Sequence, residues 1–91
     1  MPDRLQIYFS GHVQGIDFRY SVKQLTLEFE VTGWVKNLPD GRVEVVVEGE
    51  RCELETFQEA IPDAGLRRFI HETHSNWSKG TGEFKGFEIS R

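Results

Sequence analysis

The residues most suited to chemistry fall in Gly11-His12-Val13-Gln14-Gly15-Ile16-Asp17-Phe18-Arg19. This short stretch carries two glycines between an alternating segment and a helical one. The first amides of a helix have no partners inside the helix, and with the amides of a preceding glycine-bearing loop they can converge on an anion. Gly15 is placed where backbone could take a positive φ or approach a ligand closely. The Gly-Lys-Ser/Thr ending of a nucleotide-binding P-loop is missing. A plain β–α connection uses the same residues, so spacing leaves both readings open.

Arg19 adds weight to the anion. It falls in the first turn of the predicted helix, where the helix dipole disfavours a cation by roughly 0.3–1 kcal/mol. A bound anion reverses that sign, and the planar guanidinium can grip two phosphate oxygens. The alternative is a surface arginine paired with Asp17 or Glu30. A second stretch, Gly33-Trp34-Val35-Lys36-Asn37-Leu38-Pro39-Asp40-Gly41, ends a predicted strand in a turn. Gly33 within that strand predicts a bulge or a neighbouring backbone at close range. Asn37 could turn its amide toward the loop at 11–17, although asparagine beside Pro-Asp-Gly is also ordinary turn chemistry.

The elements that must position these residues follow from periodicity. Leu5, Ile7 and Phe9 alternate with polar residues, as in a strand with one core face. Phe18, Val22, Leu25 and Phe29 form one helical stripe, with Asp17 as its expected N-cap. Residues 31–37 and 42–49 read as strands joined by the Leu38–Gly41 turn. Leu54, Phe57 and Ile61 mark a second helix over 51–61, stopped by Pro62. Residues 66–77 look extended, and 84–90 predict a last strand after a glycine-rich segment. The order β-α-β-β-α-β with an added strand gives an α+β class. It is the ferredoxin-like split β-α-β sandwich: an antiparallel sheet of four to five strands with two helices on one face.

Composition narrows the function. The 91 residues are expected to form one domain. Seven Phe and two Trp are too many to leave solvated. A lone Cys52 excludes an internal disulfide and suits a cytoplasmic, reducing setting. The formal charge of −4, without a basic stripe, argues against nucleic acid. Lys85-Gly86-Phe87 faintly echoes an RNA-recognition signature, but the third strand has no aromatic residue. The longest apolar run is Val45–Val47, too short to span a membrane, and no signal peptide is read at the start. His71 and His74 stand three apart rather than at the i, i+4 spacing of a zincin helix, so no metal site is expected.

Taken together, Gly11-x-Val13-Gln14-Gly15-Ile16-x-Phe18-Arg19 and Gly33-Trp34-Val35-x-Asn37-x-x-Asp40-Gly41-x-Val43-Glu44 resemble the two signatures of the acylphosphatases. Gly82-Glu83-Phe84-x-Gly86-Phe87-Glu88-Ile89 resembles that family's C-terminal strand. The resemblance implies hydrolysis of small acyl phosphates to carboxylate and inorganic phosphate, without metal or other cofactor, by a monomer. It implies that backbone amides of Gln14, Gly15, Ile16, Asp17 and Phe18 bind the phosphate together with Arg19, and that Asn37 orients the attacking water. His12 stands where the family usually has Arg or Lys, which makes the site less positive at neutral pH. A protein of another class with this fold, a non-catalytic module binding an anion or a protein partner, remains as the alternative.

Overall fold

The computed structural model describes residues 2–15 and 17–90. Chain order is β1 (Asp3–Gly11), α1 (Phe18–Leu25), β2 (Thr32–Asn37), β3 (Val43–Gly49), α2 (Arg51–Ile61), β4 (Ile70–Lys79) and β5 (Phe87–Ser90). The five strands form one sheet in the order β4-β1-β3-β2-β5. Both helices lie on one face, as the split β-α-β arrangement requires.

Alternation along the strands builds the core. Leu5, Ile7 and Phe9 stand opposite Val47, Val45 and Val43, and all six are buried beneath the helices. Phe18 and Val22 from α1 and Leu54, Phe57 and Ile61 from α2 close the same core. Burying each such side chain contributes roughly 1.5–3 kcal/mol. β3 is the middle strand, so Glu44, Val46 and Glu48 on its helix-free face are buried too. Gln6 covers Glu44 with a 2.7 Å hydrogen bond from Nε2, and Arg42 lies over the Tyr8 ring, 4.6 Å from its centroid.

Gly33 meets the predicted close approach. Its φ is +148°, and a Cβ there would stand 1.8 Å from the Val46 carbonyl oxygen on the neighbouring strand. The β2–β3 hairpin is closed by Leu38 N–H to Arg42 O at 2.8 Å and Gly41 N–H to Leu38 O at 3.1 Å.

Three features depart from the periodicity. The sheet is mixed rather than wholly antiparallel, because β5 pairs with β2 in parallel, Val35 opposite Ile89. The strands β4 and β5 are consecutive in the chain yet occupy opposite edges. Residues 80–86 must therefore cross one end of the sheet, and β5 then runs in the direction of β2. Buried Glu48 anchors that crossing by accepting from the amides of Thr81 (3.0 Å) and Gly82 (2.9 Å) and from Arg4 Nε (2.7 Å). The second departure lies after α2. Residues 66–69 are not extended: a helical turn over Pro62–Leu66 and a 3-10 turn over Arg67–Phe69 precede β4. The α-helix itself ends at Ile61, before Pro62, as the sequence predicts; the chain then kinks at Gly65, φ +87°, and Leu66 is drawn into the core. The final strand is also shorter than predicted, starting at Phe87.

Candidate active site

The loop after β1 is positioned by what it buries. Val13 and Phe18 sink into the core, the Phe18 ring 5.2 Å from that of Phe9, while Gly15 and Asp17 are left at the surface. Gln14 Nε2 then donates to the carbonyl oxygens of Leu38 (2.8 Å) and Arg42 (2.9 Å). The loop is thereby tied to the hairpin that follows Asn37. Gly15 takes φ +82°. Asp17 takes φ +59°, a left-handed conformation that a non-glycine residue adopts at some cost.

Asp17 occupies the N-cap position of α1, but its side chain makes no capping hydrogen bond, contrary to the expectation for it. Its carbonyl accepts from Ser21 N–H at 2.9 Å and starts the helix. No acidic residue lies in the first turn. The leading amides of α1 are therefore neither capped by a side chain nor neutralised by a nearby carboxylate of the helix itself, which leaves them available to an external anion.

Residues at the start of α1 border a cavity of about 340 Å³, near the lower limit for small-molecule sites, roughly 300–1,000 Å³. Gly15, Asp17, Phe18 and Arg19 line it from the loop and helix, and Asn37 lines it from the end of β2. The cavity thus sits where the C-terminal ends of β1, β2 and β5, which all run in one direction, meet the N-terminus of α1. Larger grooves of about 490 and 460 Å³ lie along the outer sides of α1 and α2. The first is lined by Leu25, Leu27 and Glu28 among others, the second by Glu55 and Glu59; neither holds a cation suited to an anionic ligand.

Two side chains in the smaller cavity lack partners. Arg19 is half-buried and, among the described residues, forms no ion pair with Asp17, Glu30 or any other carboxylate. Asn37 Oδ1 is buried and accepts no hydrogen bond among the described residues. Leaving such an acceptor unsatisfied costs about 1–3 kcal/mol, so its retention points to a ligand or water that donates to it.

Of the residues expected from sequence to bind phosphate, Gly15, Asp17 and Phe18 come together with Arg19 and Asn37 in this cavity. Gln14, expected to contribute its backbone amide, is not among the residues lining this cavity, its side chain bonds to the hairpin, and Ile16 lies outside the described residues. Val13, Tyr20 and Ile89 also line the cavity and were not singled out from sequence. Tyr20 was legible as the residue following Arg19 on the helix; Ile89 required knowing where β5 lies. No group of three or more His, Cys, Asp or Glu side chains capable of holding a metal occurs among the described residues. No helix among them is long and apolar enough to cross a membrane.

The acylphosphatase family model matches residues 5–89. An acylphosphatase of Roseiflexus sp. is 40% identical over 86 residues, covering 94% of this chain and 92% of its own. One from Marinobacter nauticus is 40% identical over 88 residues, covering 97% and 96%. The crystal structure of acylphosphatase from Bacillus subtilis superposes with a TM-score of 0.89 at 31% identity, covering 98% of this chain and 99% of that one. With a matching sequence and fold over nearly its whole length, the chain belongs to the acylphosphatase family.

Proposed function

We propose that this protein hydrolyses the carboxyl–phosphate bond of small acyl phosphates, with Arg19 and the loop amides holding the phosphoryl group and Asn37 orienting the attacking water. The observation that carries this reading is the buried Asn37 Oδ1 in the same cavity as the Arg19 guanidinium, both without a partner among the described residues. A carboxamide oxygen in that state accepts a hydrogen bond from water and aims the water's lone pair at phosphorus. The guanidinium and the amides of Gly15, Asp17 and Phe18 take the phosphoryl oxygens, where charge is spread in a loose transition state.

The leaving group makes further machinery unnecessary. A carboxylate, with a conjugate-acid pKa of about 4, departs without a general acid. The P–O bond to the acyl group breaks as the P–O bond to water forms, and the water's proton passes to the phosphate product or to solvent. Positioning and charge stabilisation remain as the catalytic requirements, and neither calls for a metal ion. In this reading the protein is a single cytosolic domain over residues 1–91 and acts as a monomer, in keeping with its lone, exposed Cys52.

The test is release of benzoate from benzoyl phosphate in EDTA by wild type, Arg19→Ala and Asn37→Ala. Turnover should survive EDTA in wild type. It should fall in each folded variant by about 10²–10³, the loss of one preorganised donor at a reacting oxyanion. A folded wild type that binds inorganic phosphate without turning over benzoyl phosphate would make the cavity the anion site of a non-catalytic module.

A further inference from the structure

A further cavity, of about 310 Å³, is lined by Gly11, His12, Arg68, Phe69, Ile70 and His71. His12 lines this cavity and not the one that holds Arg19 and Asn37. His71, three residues from His74 in sequence, here meets a histidine from another segment instead.

A β-bulge brings the two imidazoles together. Between β1 and β4, Ser10 stands opposite Glu72 and Gly11 opposite Ile70, which leaves His71 as the extra residue. Such a bulge re-aims the side chain it carries. Gly11 permits the approach: its φ is +124°, and a Cβ there would stand 2.5 Å from Phe69 O and 2.7 Å from His71 N. The His12 N–H donates to Phe69 O at 2.9 Å, which ties the loop to the turn before β4. The Arg68 guanidinium lies over the Phe69 ring, 4.8 Å from its centroid, and is held at the cavity wall by that contact.

Every ionisable residue lining this cavity is basic. None of His12, Arg68 and His71 forms an ion pair among the described residues. The carboxylates of the adjoining segments are engaged elsewhere: Asp63 pairs with Arg67, and Glu72 lies 3.4 Å from His74 Nε2. From β1 the residues opposite this end of β4 are Ser10 and Gly11, neither of them charged. Asp17 and Arg19, further along the loop, line the other cavity. In a chain of net charge −4, three bases converging without a carboxylate form a local positive field. The permanent charge of Arg68 turns the imidazole pair away from a metal cation and toward an anion, and its planar fork suits a tetrahedral oxyanion.

We propose that His12, Arg68 and His71 form a second anion site, separate from the cavity of Arg19, that takes a phosphate group and tightens as the two imidazoles gain protons. This stands whether or not the protein hydrolyses acyl phosphates. The phosphate is either free or carried on an organic ester, and half-buried Phe69 and Ile70 offer contact to the organic part of an ester.

The experiment follows the imidazole NMR resonances of His12 and His71 in Arg19→Ala, which removes the guanidinium of the other cavity. Sulfate, whose charge is constant across the range, should shift both and bind about tenfold more tightly at pH 6 than at pH 8, the interval over which an ordinary imidazole loses its proton. Sodium chloride at equal ionic strength should not reproduce the shifts. Adding Arg68→Ala and His71→Gln should weaken the response of His12 to sulfate at least about tenfold, the scale of losing charge-assisted hydrogen bonds. Arg68→Lys in place of Arg68→Ala, with His71 retained, keeps the charge and should keep most of the response, which separates lost charge from lost structure. Imidazoles silent to sulfate, shifts matched by chloride, or shifts that persist in the triple variant would each overturn the site. Equal affinity at the two pH values would overturn the part given to the imidazoles. Inorganic phosphate and phenyl phosphate then separate the sources: tighter binding of phenyl phosphate assigns the site to an ester, and equal binding assigns it to free phosphate.

Discussion

Gln14 donates a 2.8 Å hydrogen bond to the carbonyl oxygen of Leu38, the residue after Asn37, and so fastens the Gly15 loop to the strand end that carries Asn37. The same Nε2 reaches Arg42 O across the hairpin at 2.9 Å. Loop and hairpin are far apart in sequence, and this one side chain bridges them beyond the end of the β1–β3 ladder. Both carbonyls also accept from backbone amides within the turn, so losing Gln14 leaves neither wholly unpaired. Gln14→Ala should therefore cost only about 1–2 kcal/mol in urea unfolding. Its effect on kcat/KM should be larger, about 10- to 100-fold, because displacement of a reacting group by about 1 Å is that expensive.

Asn37→Ala should separate stability from activity. Among the described residues Oδ1 accepts no hydrogen bond, so its removal takes away no interaction with them. We expect the thermal midpoint to stay level or to rise, by up to about 1 kcal/mol in stability, while turnover collapses. A variant that lost stability along with activity would show that Asn37 serves the fold instead.

Gly33→Ala should be severely destabilising. The added Cβ would fall 1.8 Å from Val46 O, on the central strand, where the backbone cannot retreat without breaking the β2–β3 ladder. A loss of about 3 kcal/mol or more is expected from the forced shift and the positive φ together. Equilibrium denaturation in urea measures it directly.

Glu48 should make the fold acid-sensitive. Burial pushes its carboxyl pKa up, but the amides of Thr81 and Gly82 and the Arg4 guanidinium outweigh burial and hold it below the ordinary carboxylate value. A carboxyl whose folded pKa is depressed contributes stability above its unfolded pKa, about 4.3, and loses it as pH falls through the lower folded value. Arg4 also pairs with Glu83, itself held below the ordinary value chiefly by that hydrogen bond. Glu48→Gln should be less stable than wild type at pH 7 and show a shallower decline below about pH 4.3. Thermal melts across pH 2–7 for the two proteins test both statements.

Local order was readable from sequence wherever one residue's neighbours decide its environment. Alternation at Leu5, Ile7 and Phe9 and the Phe18–Val22 stripe specify which faces are buried, because strand and helix periods are properties of a few consecutive residues. The Gly15 loop, Arg19 and Asn37 were likewise legible as residue types at the ends of such elements, and the cavity contains all three. The edges of the sheet and the far wall of the cavity were not. The path of residues 80–86 depends on Glu48, Arg4 and Gly33, brought together from three different strands. No short window of sequence contains that pairing, and only the folded sheet makes β5 parallel to β2 and delivers Ile89 to the site. The direction of the Gln14 side chain and the orphaned state of Asn37 Oδ1 were decided the same way. A hydrogen bond made or missing between distant segments is set by tertiary packing, after local patterns have chosen the elements that pack.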